Sequence, residues 1–283
     1  LYTFGDRHRD GAGARVLSVA YLALVREGAT SGTGEARWRN CYGYFPWEDW
    51  RAGRPEAIDR CISPALGQWA QAATDPAARR ARRERAEIVF GLNGAPWDGE
   101  RVLDRYELLY EAGLVPEAAR DPAGRWAARP TAADTPSPTA ADTPSPTAAD
   151  TPSPTDGASR GLLGQAMAAD HRRIAATALG RLRGKLRYRP VVFELLPATF
   201  TLLQLQRVVE ALAGVRLHKQ NFRRLVERGR LVEGTGRLQA QTGGRPAELF
   251  RFRREVLHER PAPGVGLPEL RSATVMAGAK PRG

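Results

Sequence analysis

Cysteine is nearly missing from this chain. Cys41 and Cys61 are its two, which excludes a disulfide framework and any Cys-rich metal module. The four histidines, His8, His171, His218 and His258, are scattered and carry no metal-ligand spacing. Long apolar runs are missing too: Val16 to Val25, the longest, is too short to span a bilayer. No N-terminal stretch reads as a signal peptide, and no G-x-S-x-G, P-loop or dinucleotide-binding glycine pattern occurs. These absences exclude a membrane-spanning protein, a disulfide-built secreted scaffold and the commonest catalytic constellations. They leave a soluble, cytoplasmic reading with no membrane partner. The chain opens at Leu1 on strand-like sequence with no Met, which predicts a truncated N-terminus.

What is present is ordinary globular material, unevenly charged. Hydrophobic residues make up 42% of the 283 positions and charged residues 26%, enough for about two domains with buried cores. Residues 1–159 hold 19 Lys/Arg against 22 Asp/Glu, a net of −3. Residues 160–260 hold 21 against 8, a net of +13, and that segment will attract polyanions at low salt. Charge alone leaves a nucleic-acid partner and a basic solvated surface both open.

Between the halves, residues 131–154 are three identical copies of Thr-Ala-Ala-Asp-Thr-Pro-Ser-Pro. No large apolar residue occurs there, so nothing can offset the entropy of ordering, and residues 129–160 read as a disordered linker. All six tryptophans precede it, and the basic excess follows it. Residues 261–283, rich in Gly, Pro and Ala, read as a loose tail.

The local chemistry is clearest at residues 200–229. Thr201 and Gln204 form a capping-box pair, and Phe200 and Leu205 occupy hydrophobic-staple positions. Leu202, Leu205, Val208, Val209 and Leu212 recur at helical spacing, and Gly214 stands where a left-handed stop belongs. After the short turn Val215-Arg216-Leu217, a second helical pattern runs from His218 to Arg228, with Gly229 as its stop. Two short helices joined by a tight turn predict a helix-turn-helix. On the second helix Phe222, Leu225 and Val226 share the inward arc. Gln220, Arg223, Arg224 and Glu227 point the other way, with Asn221 and Arg228 on one flank and Lys219 on the other.

Arg pairs with guanine, and Asn or Gln with adenine, so these side chains suit a major groove. A solvated basic face is the competing reading. Strands over 231–238 and 247–253 flank the tip Thr242-Gly243-Gly244-Arg245-Pro246, a wing from which Arg237 and Arg245 would reach phosphates or a minor groove. Upstream, a helix over 170–186 turns Ile174, Ala178, Leu179 and Leu182 inward. It ends in Arg181, Arg183, Lys185, Arg187 and Arg189, expected to contact phosphates.

The first half predicts a buried strand at 15–25 and helices over 64–73, 76–90 and from Asp98 to Ala112. Their expected caps are Ser63, Asp75 and Asp98. Arg79, Arg80, Arg82, Arg83 and Arg85 read as a solvated face. Trp47-Glu48-Asp49-Trp50-Arg51 reads as a polar-aromatic loop to which no chemistry can be assigned. No catalytic or metal-binding residue emerges. Residues 106–114 echo the end of a Nudix box, but tyrosines stand where that motif needs an Arg and a Glu, and an amphipathic helix explains them better.

Arg189-Pro190-Val191-Val192-Phe193-Glu194-Leu195-Leu196-Pro197, Phe200-Thr201-Leu202, His218-Lys219-Gln220-Asn221-Phe222-Arg223-Arg224 and residues 244–252 carry a family resemblance. They resemble the winged-helix domain of the Nudix-related transcriptional regulators of NAD metabolism, the NrtR family, over about residues 165–260. Residues 1–6, 15–25 and 105–115 resemble later parts of that family's Nudix domain; its catalytic loop-helix has no counterpart here.

The resemblance implies an α+β chain in four parts: an incomplete Nudix-like α/β/α domain over 1–128, the linker 129–160, a winged helix-turn-helix domain over 161–260 and the tail 261–283. It implies a homodimer bound to a palindromic double-stranded operator and modulated by ADP-ribose or a related nucleotide. Lys219, Gln220, Asn221, Arg223, Arg224 and Arg245 carry over as DNA-binding residues, beside Arg228 and Arg237 from the helix and wing geometry. The cofactor-binding residues stay unknown, and no cofactor is expected unless a complete Nudix box upstream brings Mg²⁺. The alternative function is a Nudix hydrolase of ADP-ribose or a related nucleotide.

Overall fold

The computed structural model describes residues 2–6, 16–26, 37–120, 161–239 and 246–265. The repeat linker, the wing tip with Arg245, and everything after Val265 lie outside the described residues. Within them the chain is a mixed α+β molecule with no helix long and apolar enough to cross a membrane.

Strands β1 (Tyr2–Asp6) and β2 (Val16–Ala20) form an antiparallel hairpin in which Tyr2 faces Ala20 and Asp6 faces Val16. The strand expected over 15–25 is shorter than read, and its described side chains from Val19 to Val25 are not buried. It stops at Ala20, and Val19, Tyr21 and Val25 are more than half exposed. No third described strand flanks the pair.

Residues 37–120 are helical. Helix α1 (Ser63–Gln71) continues out of a π-helical turn over Ile58–Ile62, and Ser63 is itself helical at φ −61°. It therefore cannot cap, because an N-cap needs extended backbone. Helix α2 (Pro76–Phe90) follows the expectation, with the Asp75 carboxylate accepting from the Ala78 N–H at 2.9 Å and Gly91 left-handed behind it. Helix α3 (Val102–Glu111) starts later than expected, because Asp98 spends its oxygen on the Glu100 N–H at 2.9 Å. Helix α4 (Pro116–Ala119) closes the unit. Trp47, Ile58, Ile62, Leu66, Phe90, Leu108 and Leu109 make its core.

Helix α5 (His171–Tyr188) serves two cores. Ala176 and Leu179 pack into the first, while Leu186 packs into the second. A Cβ at Gly180 would lie 2.6 Å from the Glu100 carbonyl, so the missing side chain lets the loop before α3 rest on the helix.

The second core belongs to helices α6 (Leu202–Ala213) and α7 (Lys219–Arg228) and the hairpin β3 (Val232–Gln239)–β4 (Ala247–Phe252). Leu205, Val209, Phe222, Val226 and Leu231 fill it, closed by Val256 of the short helix α8 (Val256–Glu259) and by Val265. Pro263 and Val265 are buried, so the expected loose tail does not begin at residue 261. Phe200 exchanges both backbone hydrogen bonds with Phe250, at 2.9 and 2.8 Å, adding a one-residue third strand. The order helix, strand residue, helix, turn, helix, hairpin is that of a winged helix.

Candidate nucleic-acid interface

The capping box at α6 forms as read. Thr201 Oγ1 accepts from the Gln204 N–H at 3.2 Å, and Gln204 Oε1 accepts from the Thr201 N–H at 2.7 Å. Phe200 and Leu205 are buried in one core, and Gly214 ends the helix at φ 72°. The turn has two further fasteners to which the sequence reading gave no role. Gln206 Nε2 donates to the Leu217 carbonyl at 2.9 Å, while Glu210 Oε1 accepts from the Leu217 N–H at 2.8 Å. They fix the entry to α7 from inside the motif.

On α7, Phe222 and Val226 are buried and Leu225 is half-buried. Lys219, Gln220, Asn221, Arg223, Arg224, Glu227 and Arg228 are exposed. Among the described residues no carboxylate pairs with Lys219, Arg223, Arg224 or Arg228, and no protein group engages the side-chain amides of Gln220 and Asn221. Gly229 stops the helix as expected, right-handed at φ −67°, and Arg230 takes the positive φ of 45°. Room at 229 is tight: a Cβ would sit 3.0 Å from the Leu225 carbonyl and 3.1 Å from the Leu231 side chain.

The wing hairpin pairs Val232 with Phe252 and Gln239 with Ala247, with an irregularity between Gly234 and Leu238. Arg237 is exposed on β3 beside it, and Arg245 lies outside the described residues. Arg251 is spent on Glu233 at 2.5 Å and Arg253 on Glu259, so neither joins the unpaired set.

Of the α5 arginines expected to reach phosphates, Arg183 and Arg187 have partners within the protein. Arg187 pairs with Glu100 at 3.2 Å. Arg183 is buried and donates to Glu48, which also takes Arg105 at 2.5 Å from its other side. Burial alone would push the Glu48 carboxyl up, but the two guanidiniums hold it below its ordinary value of 4.5. Arg105 lies 3.8 Å from the centre of the Trp97 ring. The loop at 47–51 thus supplies the carboxylate that joins α3 to α5.

The residues resembling the end of a Nudix box are structural: Glu107 pairs with Arg173 at 2.7 Å, Glu111 with Arg85 at 2.5 Å, and Tyr106 and Tyr110 enter the core. Among the described residues no three His, Cys, Asp or Glu side chains converge on a metal position.

Residues 192–252 match the NrtR DNA-binding winged helix domain. Over 86 residues the chain is 38% identical to the ADPR responsive transcriptional repressor NtrR of Acinetobacter baylyi. That match covers 30% of this chain and 34% of the relative, so the chain spans about a third of that protein's length. A crystal structure of Shewanella oneidensis NrtR complexed with a 27mer DNA is 32% identical, over 38% of this chain and 47% of that one, with a TM-score of 0.31. The likeness rests on the sequence matches.

Proposed function

We propose, from the match of residues 192–252 to the NrtR DNA-binding winged helix domain, that the chain is a transcriptional regulator reading duplex DNA with α7. The observation that carries this reading is the outward face of α7. Gln220, Asn221, Arg223 and Arg224 stand exposed, with no acidic partner among the described residues, on the helix that a winged helix lays in the major groove. Lys219, Arg228, Arg237 and Arg245 would flank it on phosphates, which position a protein without specifying sequence.

The finer parts of the reading follow the family. The chain would bind a palindromic operator as a homodimer, control genes of NAD metabolism, and respond to ADP-ribose or a related nucleotide. The curated relative's name supports that effector. Nothing in the comparisons favours the hydrolase alternative.

Fluorescence anisotropy of the full chain on a duplex selected from a random pool tests the first part. The slope of log K against log salt should be about −5 for six phosphate contacts, at roughly −0.9 each; a flat response would exclude the reading. ADP-ribose titrated into the complex tests the effector. Linkage requires that a nucleotide weakening DNA binding is itself held more weakly when DNA is bound, and an unchanged complex at saturating ADP-ribose would remove the effector.

A further inference from the structure

The turn between α6 and α7 is fastened from two sides. Gln206 and Glu210 hold its Leu217 end from within the motif. Its α6 end is held from outside, by residues 42–50 of the N-terminal unit. The Tyr42 hydroxyl donates to the Ala211 carbonyl at 2.7 Å. The Trp50 N–H donates to the Gly214 carbonyl at 2.6 Å, and Trp50 pairs with Val215 as a parallel bridge. Arg183 reaches the Leu212 carbonyl at 3.4 Å and the Glu48 carbonyl at 3.0 Å while its other amino group holds the Glu48 carboxylate.

The Ala211 and Leu212 carbonyls belong to the last turn of α6, where carbonyls have no partner within the helix, and Gly214 follows directly. The fit around them is close. A Cβ at Gly214 would lie 2.4 Å from the Glu48 carbonyl, 2.5 Å from Arg183 Nη2 and 2.8 Å from Tyr42 Oη, quite apart from its left-handed backbone. Trp50 packs against both cores. Burial pushes the Tyr42 hydroxyl up to about 12, so it keeps its donor proton at neutral pH.

We propose that residues 42–50 are a strap that sets the angle between α6 and α7, with Glu48 as a positioning residue for DNA recognition. Only Gly214, Val215, Arg216, Leu217 and His218 separate the two helices, so the turn's conformation determines how α7 is presented. Glu48 acts through Arg183: it fixes the guanidinium that ties the strap backbone to the end of α6. A buried charge cluster at such a junction contributes orientation more than net stability. The strap also gives the N-terminal unit a direct hold on the DNA-reading helix. The proposal rests on the DNA-binding reading above, and its test separates the two.

The experiment compares the full-length wild type with Tyr42→Phe and Glu48→Gln. It uses a duplex selected by the wild type, a scrambled duplex, and hydrogen exchange of the free proteins. Losing one hydrogen bond of the strap should weaken the selected duplex about three- to tenfold. The scrambled duplex, held by phosphates, should change less than about twofold. Amides of Gly214–Leu217 should exchange faster in both variants, while in Tyr42→Phe those of α1 and α2 do not.

Tyr42→Phe removes a single hydroxyl and decides the matter should Glu48→Gln fail to fold. Unchanged selected-duplex binding with unchanged exchange at the turn would overturn the strap. So would equal weakening on both duplexes, the mark of a merely structural role. If the wild type selects no duplex, the DNA reading fails, and exchange at Gly214–Leu217 alone decides the strap.

Discussion

Arg223 and Arg183 are the same residue type in the same basic half, and they have opposite fates. Arg183 is buried against Glu48, 135 residues earlier in the sequence, whereas Arg223 is exposed with no acidic partner among the described residues. Helical spacing on α7 was enough to place Arg223 and Arg224 outward, because their neighbours Phe222 and Val226 mark the inward arc. No local signal could mark Arg183, since its partner sits in a loop whose chemistry was opaque without the fold. An unpaired exposed guanidinium can read a base. Arg224→Ala or Arg223→Ala should therefore cost about 1–3 kcal/mol on the selected duplex and relax preference at one base pair. Anisotropy against single-base variants measures it, and equal loss on every sequence would make that residue a phosphate contact.

Glu48 carries a stability prediction of its own. Its carboxyl is held below the ordinary value of 4.5 in the folded chain, so its contribution is complete above that value. That contribution is lost as pH falls through the lower folded value. Thermal midpoints of the wild type should drop through this acid range more steeply than those of a folded Glu48→Gln variant. Parallel curves would contradict the account. Glu48→Ala, which strands two buried guanidiniums, should destabilise by about 3–5 kcal/mol in urea titrations.

Among the elements, those with local punctuation were legible and those defined by packing were not. Asp75-Pro76 with Gly91, and Thr201 with Gln204 and Gly214, fixed both ends of α2 and α6, because caps act within one turn. Ser63 and Asp98 have the same composition as caps but fail as caps. The chain is already helical before Ser63, and Asp98 organises a tight turn ahead of α3. The strand expected at 15–25 stops at Ala20, with Val19, Tyr21 and Val25 exposed: apolar residues predict burial only where a second layer covers them, and none of the described residues does. Thr201→Ala removes the working cap of α6 and should cost about 1 kcal/mol in equilibrium urea unfolding; a change within error would mean Gln204 alone suffices.

Across the whole molecule, the sequence divides at its Pro-rich repeat, but the described structure does not separate there. Helix α5 packs into both cores, Trp50 touches both, and Glu48 reaches across to Arg183. Charge segregation correctly marked the basic half, yet part of that excess is spent inside the molecule on Glu48, Glu100, Glu117 and Glu107. Counting charges therefore overstated the surface left for a polyanion, while the face of α7 survives the correction intact. The most direct measurement replaces that face alone. The full chain carrying Asn221→Ala, Arg223→Ala and Arg224→Ala should keep the wild-type thermal midpoint and bind the selected duplex no better than a scrambled one. Undiminished binding to the selected duplex would contradict the account.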